Sequence, residues 1–170
     1  DPANVSLTDS ATIPGDAKVA FGDSTAAVLD RASGSLWVLG ASEIAGFDIK
    51  GADPIAKLGA NADVTVAQDG TVFAVSPKDG DLVTVPVDDQ GAALDPKTSA
   101  LEGVKGASEP TITAVGDVPV VLNPSDGTLL ADGLRTELQG AKDAVLQQAS
   151  AATDAVAVAT ASGLVRVPLH

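Results

Sequence analysis

The chain has 170 residues, with 10 basic and 23 acidic side chains, a net charge of −13, 45% hydrophobic residues and only 2% aromatics. That length suits one well-buried domain or a set of small repeats sharing a core, and the core must be built from Val, Leu, Ala and Ile. The negative surface repels phosphate backbones and so argues against a nucleic-acid partner, while the absence of cysteine excludes disulfides, thiolate metal sites and cysteine nucleophiles.

No apolar run reaches the roughly 18–20 residues a bilayer requires, and the longest, Ala155–Ala161, has the length of a strand. The chain opens on Asp1-Pro2 with no basic-then-apolar leader, so no signal peptide is read in it. One histidine, His170, ends the chain. A lone imidazole there cannot build a multi-histidine metal site or an oriented catalytic triad.

Read in chain order, Val5–Leu7 is a short outlying strand, followed by KVAF, TAAVL and SLWVLG as three strands cut by GDS and DRASG turns. A second outlying segment, Ile55–Leu58, precedes DVTVA, TVFAV and DLVTVPV, cut by QDG and SPKDG. Pro86 and Pro96 then bound a loop containing Asp88-Asp89-Gln90-Gly91. The third copy runs from Thr98–Leu101 through TITAV, VPVVL and TLLA, with turns at GD and NPSDG. The last follows Thr136–Leu138 as AVLQQAS, AVAVA and LVRVPL. Residues 141–150 contain good helix formers, yet they fall in an inner-strand slot and are read as strand.

The glycines of the second turn, Gly34, Gly80, Gly127 and Gly163, lie 46, 47 and 36 residues apart (80−34, 127−80, 163−127). Glycine suits a tight hairpin because it takes positive φ without penalty, and a preceding Asp or Ser bonds back to the turn backbone. A four-strand meander repeating at this interval is the signature of a propeller blade. The expected fold is therefore all-β: a β-propeller or partial propeller of about four four-stranded antiparallel blades. The chain is expected to be a single repeat domain over 1–170, with blades at roughly 1–50, 51–95, 96–133 and 134–170, within a larger protein. A closed ring would take the missing outer strand of the last blade from the strand near Val5. Part of a larger ring, completed by further blades or a second copy, is the favoured alternative.

The phrases LDRASGSLWV, DGTVFAVSPKDGDLVTV, TAVGDVPVVLN and the closing AVAVATASGLVRVPL resemble the N-terminal region of large actinobacterial surface proteins that contain fibronectin type III domains. The resemblance spans essentially the whole chain and rests on blade-level phrases rather than site motifs. It implies an exported, modular cell-envelope protein whose propeller precedes immunoglobulin-like modules, and hence an extracellular or envelope location. The layout is more distantly similar to NHL, PQQ-type and WD-repeat propellers, but the Trp-Asp and Gly-His dipeptides are missing and Trp37 is the only tryptophan.

No phosphate-binding, dinucleotide, zinc-protease or nucleophile-elbow motif is present. Asp79-Gly80-Asp81 invites calcium, but each turn offers one or two ligands where calcium takes roughly six or more. Turn chemistry explains these acids better. Trp37 and Phe47 stand out in a chain so poor in aromatics. Trp37 is expected to pack in the core, with contact to a partner domain as the other role, and Phe21 and Phe73 read as core residues. No catalytic residue, metal ligand or cofactor is assigned, and any ligand-binding residues are unknown. The function expected is a non-catalytic binding or scaffolding module for a protein or polysaccharide. The alternative is a propeller lyase or hydrolase with an acidic site at the funnel mouth. With no tyrosine, a terminal histidine and only Arg31, Arg135 and Arg166, the sequence is poorly equipped for it.

Overall fold

A computed structural model describes residues 10–170 and contains four antiparallel sheets with no α-helix among the described residues. The first sheet is the meander β1 (Lys18–Gly22), β2 (Thr25–Asp30), β3 (Ser35–Gly40) and β4 (Ala56–Lys57). The second is β5 (Asp63–Val66), β6 (Val72–Ser76), β7 (Asp81–Val85) and β8 (Lys97–Ala100). The third is β9 (Thr111–Val115), β10 (Val118–Asn123), β11 (Thr128–Ala131) and β12 (Leu134–Glu137). The fourth has three strands, β13 (Val145–Leu146), β14 (Ala155–Thr160) and β15 (Gly163–Pro168). The short segment Val5–Leu7 lies outside the described residues. No helix among the described residues is long and apolar enough to cross a membrane.

Strand pairing settles which sheet each outlying segment joins. Ala56 and Lys57 pair with Leu36 and Ser35, Lys97–Ala100 pair with β7, and Leu134–Glu137 pair with β11. Each such segment completes the sheet that precedes it, so the sheets run 18–57, 63–100, 111–137 and 145–168, offset from the sequence repeat. An antiparallel neighbour needs only a return connection from the third strand, which the intervening loop supplies. Of residues 141–150, only Val145 and Leu146 form a strand.

The Asp-Gly and Ser-x-x-x-Gly stretches are turns. Gly34, Gly80 and Gly127 have φ of 73°, 83° and 76°. Their amides donate to the carbonyls four residues back, Asp30, Ser76 and Asn123, at 2.8, 2.8 and 2.9 Å. The same turn is thus built three times from different side chains. The fourth sheet departs from it: Thr160 pairs directly with Gly163 across a tighter turn, which accounts for part of the shorter spacing of the last repeat. Gly22, expected in a turn, instead ends β1, and the left-handed position falls to Asp23 at φ 48°. Asp tolerates that region better than most residues.

Three apolar clusters separate successive sheets. Leu29, Leu36 and Val38 of the first sheet meet Val64, Val72 and Val85 of the second. Phe73 and Val75 on the other face of the second meet Ile112, Val121 and Leu130 of the third. Val120, Leu122 and Leu129 of the third meet Val156, Val158 and Val167 of the fourth. None of the three includes residues of both the fourth and first sheets. The second and third sheets are covered on both faces, which is why their strands read as continuous apolar runs such as TVFAV and VPVVL rather than alternating ones. Leu36 is fully buried. Leu36→Ala should therefore cost about 2–5 kcal/mol in urea unfolding, whereas a loss below the lower bound would mean this first inter-sheet core is loosely packed.

The aromatics divide. Phe73 is buried and Phe47 half-buried. Trp37 is 8% exposed, and its indole N–H donates to the Ala52 carbonyl at 2.9 Å, so it packs beneath the 41–55 connection of its own sheet. Phe21, expected in the core, is 71% exposed. Its neighbour Ala20 points to the first inter-sheet cluster, and alternation along the strand turns Phe21 to the face against which no further sheet packs.

Two carboxylates, the half-buried Asp30 and the exposed Asp154, titrate low. The Ser33 hydroxyl holds the Asp30 carboxyl below its ordinary value, and the Arg166 guanidinium, bonded at 2.6 Å, does the same for Asp154. A native pKa below the unfolded one stabilises above the unfolded value and is lost as pH falls through the native value. Thermal midpoints measured from about pH 5 downward should fall less steeply in Asp30→Ala than in the parent chain. Parallel curves would show that the Ser33 contact does not persist in solution.

Candidate functional site

The first strands of all four sheets converge. β1 lies against β5, β5 against β9, and β9 against β13. Between them is a cavity of about 580 Å³ whose lining takes residues from each of these strands. Its walls are mostly aliphatic, as inner strands flanked by apolar clusters must be.

One carboxylate organises this centre. Asp63, at the start of β5, is 6% exposed. Its Oδ1 accepts a 2.6 Å bond from Lys18 Nζ on β1, and its Oδ2 accepts the Ile112 backbone N–H of β9 at 2.9 Å. A single side chain therefore ties three sheets together. Burying a carboxylate is costly unless it is paired and hydrogen-bonded, and Asp63 is both. Lys18 remains 36% exposed at its side chain. An ammonium carries three donors, so beyond the bond to Asp63 it retains capacity directed at solvent.

The remaining polar groups divide into committed and free ones. Gln147 staples β13 to β14: its Oε1 accepts the Ala157 N–H at 2.6 Å while its Nε2 donates to Ser150 Oγ at 2.7 Å. Thr111 Oγ1 and Thr113 Oγ1 on β9 are buried without a hydrogen-bond partner among the described residues. Phe21 and Val145, 71% and 64% exposed, also line the cavity and leave it an apolar margin.

None of the chemistry-bearing residues weighed from the sequence lines this cavity: Arg31, Arg135, Arg166 and His170 all lie elsewhere. The Asp-Gly carboxylates serve their turns. Asp69 Oδ1 accepts the Thr71 N–H at 3.0 Å, and Asp79 Oδ2 accepts the Ser76 hydroxyl at 3.3 Å. Among the described residues no three His, Cys, Asp or Glu side chains gather into a metal site. The central ion pair that sequence reasoning missed is Lys18 and Asp63. The signal was present, since each is a charge opening an otherwise apolar first strand (KVAF, DVTVA). Nothing local says that two such positions, 45 residues apart, meet. A second groove, beside Trp37, is lined by Phe47, Glu43 and Ile55, but Glu43 is engaged by the Gly40 N–H at 2.7 Å. No known family model matches the chain, and no curated protein matches it.

Proposed function

We propose that this chain is a non-catalytic binding or scaffolding module of β-propeller type, its four sheets acting as blades of a closed or partial ring in an exported multidomain envelope protein. The convergence of the first strands on one cavity is the observation that carries the reading, since propellers set their inner strands about an axis. A binding role fits the chemistry better than turnover. Among the described residues Asp63 is the one carboxylate lining the cavity, and both of its oxygens are engaged. A general acid or base needs a free proton site within reach of substrate. What remains for a ligand is the solvent-facing side of the Lys18 ammonium, the unpartnered Thr111 and Thr113 hydroxyls and the exposed ring of Phe21. Such a surface accepts a protein or polysaccharide at the mouth of the axis.

The test is titration calorimetry of the chain with envelope polysaccharides and envelope proteins, repeated with Phe21→Ala. Saturable binding by the parent chain, weakened about tenfold or more by Phe21→Ala, supports the reading, since a buried aromatic contact is worth on the order of 1–2 kcal/mol. Binding unaffected by the variant would move the ligand away from the cavity. Bond cleavage in the titrated polysaccharide would overturn the non-catalytic assignment.

A further inference from the structure

Among the described residues, the outer face of the first sheet is covered at its centre and that of the fourth sheet is uncovered. On the outer face of the first sheet Val28 pairs with Trp37, and they are 4% and 8% exposed. The Trp37 indole is bonded to Ala52 of the covering connection. On the outer face of the fourth sheet Val145 pairs with Ala159, and Ala159 with Leu164. This register sets three apolar side chains in one row across the sheet. Val145 is 64% and Leu164 77% exposed, and Ala159 is exposed as well. The opposite face of the same strands, Val156, Val158 and Val167, is packed against the third sheet.

The charge pattern singles out the same face. Residues 144–170 carry Asp154 and Arg166, which sum to zero with His170 neutral (−1 + 1), in a chain of net charge −13. The two charges also pair with each other at 2.6 Å. A face that carries the Val145–Ala159–Leu164 row and, as its charge, an Arg166 already paired with Asp154 is, on a strongly acidic molecule, where two copies approach with least repulsion.

We propose that the outer face of the fourth sheet is a self-association surface, taken by the same face of a second copy of this chain about a two-fold axis. The contact is again one aliphatic sheet face on another, the kind of packing that already joins the first sheet to the second, the second to the third and the third to the fourth. The partly covered first sheet sets the form of the assembly. A head-to-tail contact would need that outer face, where the 41–55 connection covers Val28 and Trp37 at the centre and leaves Phe21 exposed only on the β1 edge. A copy is left to offer its own fourth sheet, and a like-to-like contact closes at two.

Sedimentation equilibrium from about 1 to about 500 µM, on the chain and on Leu164→Lys, tests this. Leu164 is exposed, so the variant should keep its fold, checked by matching circular dichroism and urea midpoints. The expected result is a monomer–dimer equilibrium in the parent chain, weakened at least about tenfold by Leu164→Lys, with Val145→Lys behaving alike. A parent chain that stays monomeric at the highest concentration overturns the proposal. So does growth beyond two copies, or a dimer indifferent to both lysines.

Discussion

Asp63→Ala is expected to lower the unfolding free energy by about 2–4 kcal/mol, a large share of the stability of an ordinary domain. The substitution strips Lys18 of its 2.6 Å partner and leaves the Ile112 N–H without its 2.9 Å acceptor between the second and third sheets. An unsatisfied buried amide costs about 1–3 kcal/mol by itself. The ammonium adds less than a fully buried charge would, because Lys18 is 36% exposed at its side chain and water can replace the carboxylate there. Asp63→Asn separates the two contributions. It keeps an acceptor for Ile112 while losing the charge, so urea unfolding should place it between the parent and Asp63→Ala. Equal losses for Asn and Ala would mean that the ion pair, not the amide contact, holds the three sheets. A loss under about 1 kcal/mol for Ala would refute the idea that this carboxylate fastens the centre.

Gly34→Ala should be comparably damaging, at about 2–5 kcal/mol, for a different reason. A Cβ at Gly34 would overlap the Gly59 carbonyl oxygen and nitrogen. Both are backbone atoms, so relief requires moving the chain that leaves β4. The left-handed backbone at φ 73° adds about 1–2 kcal/mol for any side chain, and overpacking adds about 1–3 kcal/mol. Gly46→Ala isolates the first of these. It has φ 81° with nothing within 4 Å of an added Cβ, so it should cost only the conformational part. If the two variants unfold at the same urea concentration, the close approach of the first hairpin to Gly59 is not maintained in solution.

The two variants also mark how far local sequence reaches. That Gly34 must be a left-handed turn residue is legible from DRASG alone, because the neighbouring apolar runs leave no other place for the chain to reverse. That its α-carbon lies against Gly59 depends on where β4 pairs. Likewise Phe21 reads as core from its place in an apolar strand, yet its exposure depends on which face of the sheet receives a neighbour. Lys18 and Asp63 look like ordinary charges at strand starts until the first strands are brought side by side.

By itself the sequence determined most of the described elements, with 141–150, of which only Val145 and Leu146 form a strand, as the exception: strands from β-branched and aliphatic runs, turns from Gly with Asp or Ser, and an aliphatic core in an acidic, cysteine-free chain. These follow from backbone sterics and burial, which act over a few residues. The tertiary structure alone decided sheet membership of the outlying strands, the burial of Trp37 beside the exposure of Phe21, the Lys18–Asp63–Ile112 tie at the centre, and the bare face of the fourth sheet. Each of these depends on contacts between residues far apart in the chain. Alternation in a strand states that a side chain points to one of two faces, and only the packing of one sheet on the next says what, if anything, it meets there.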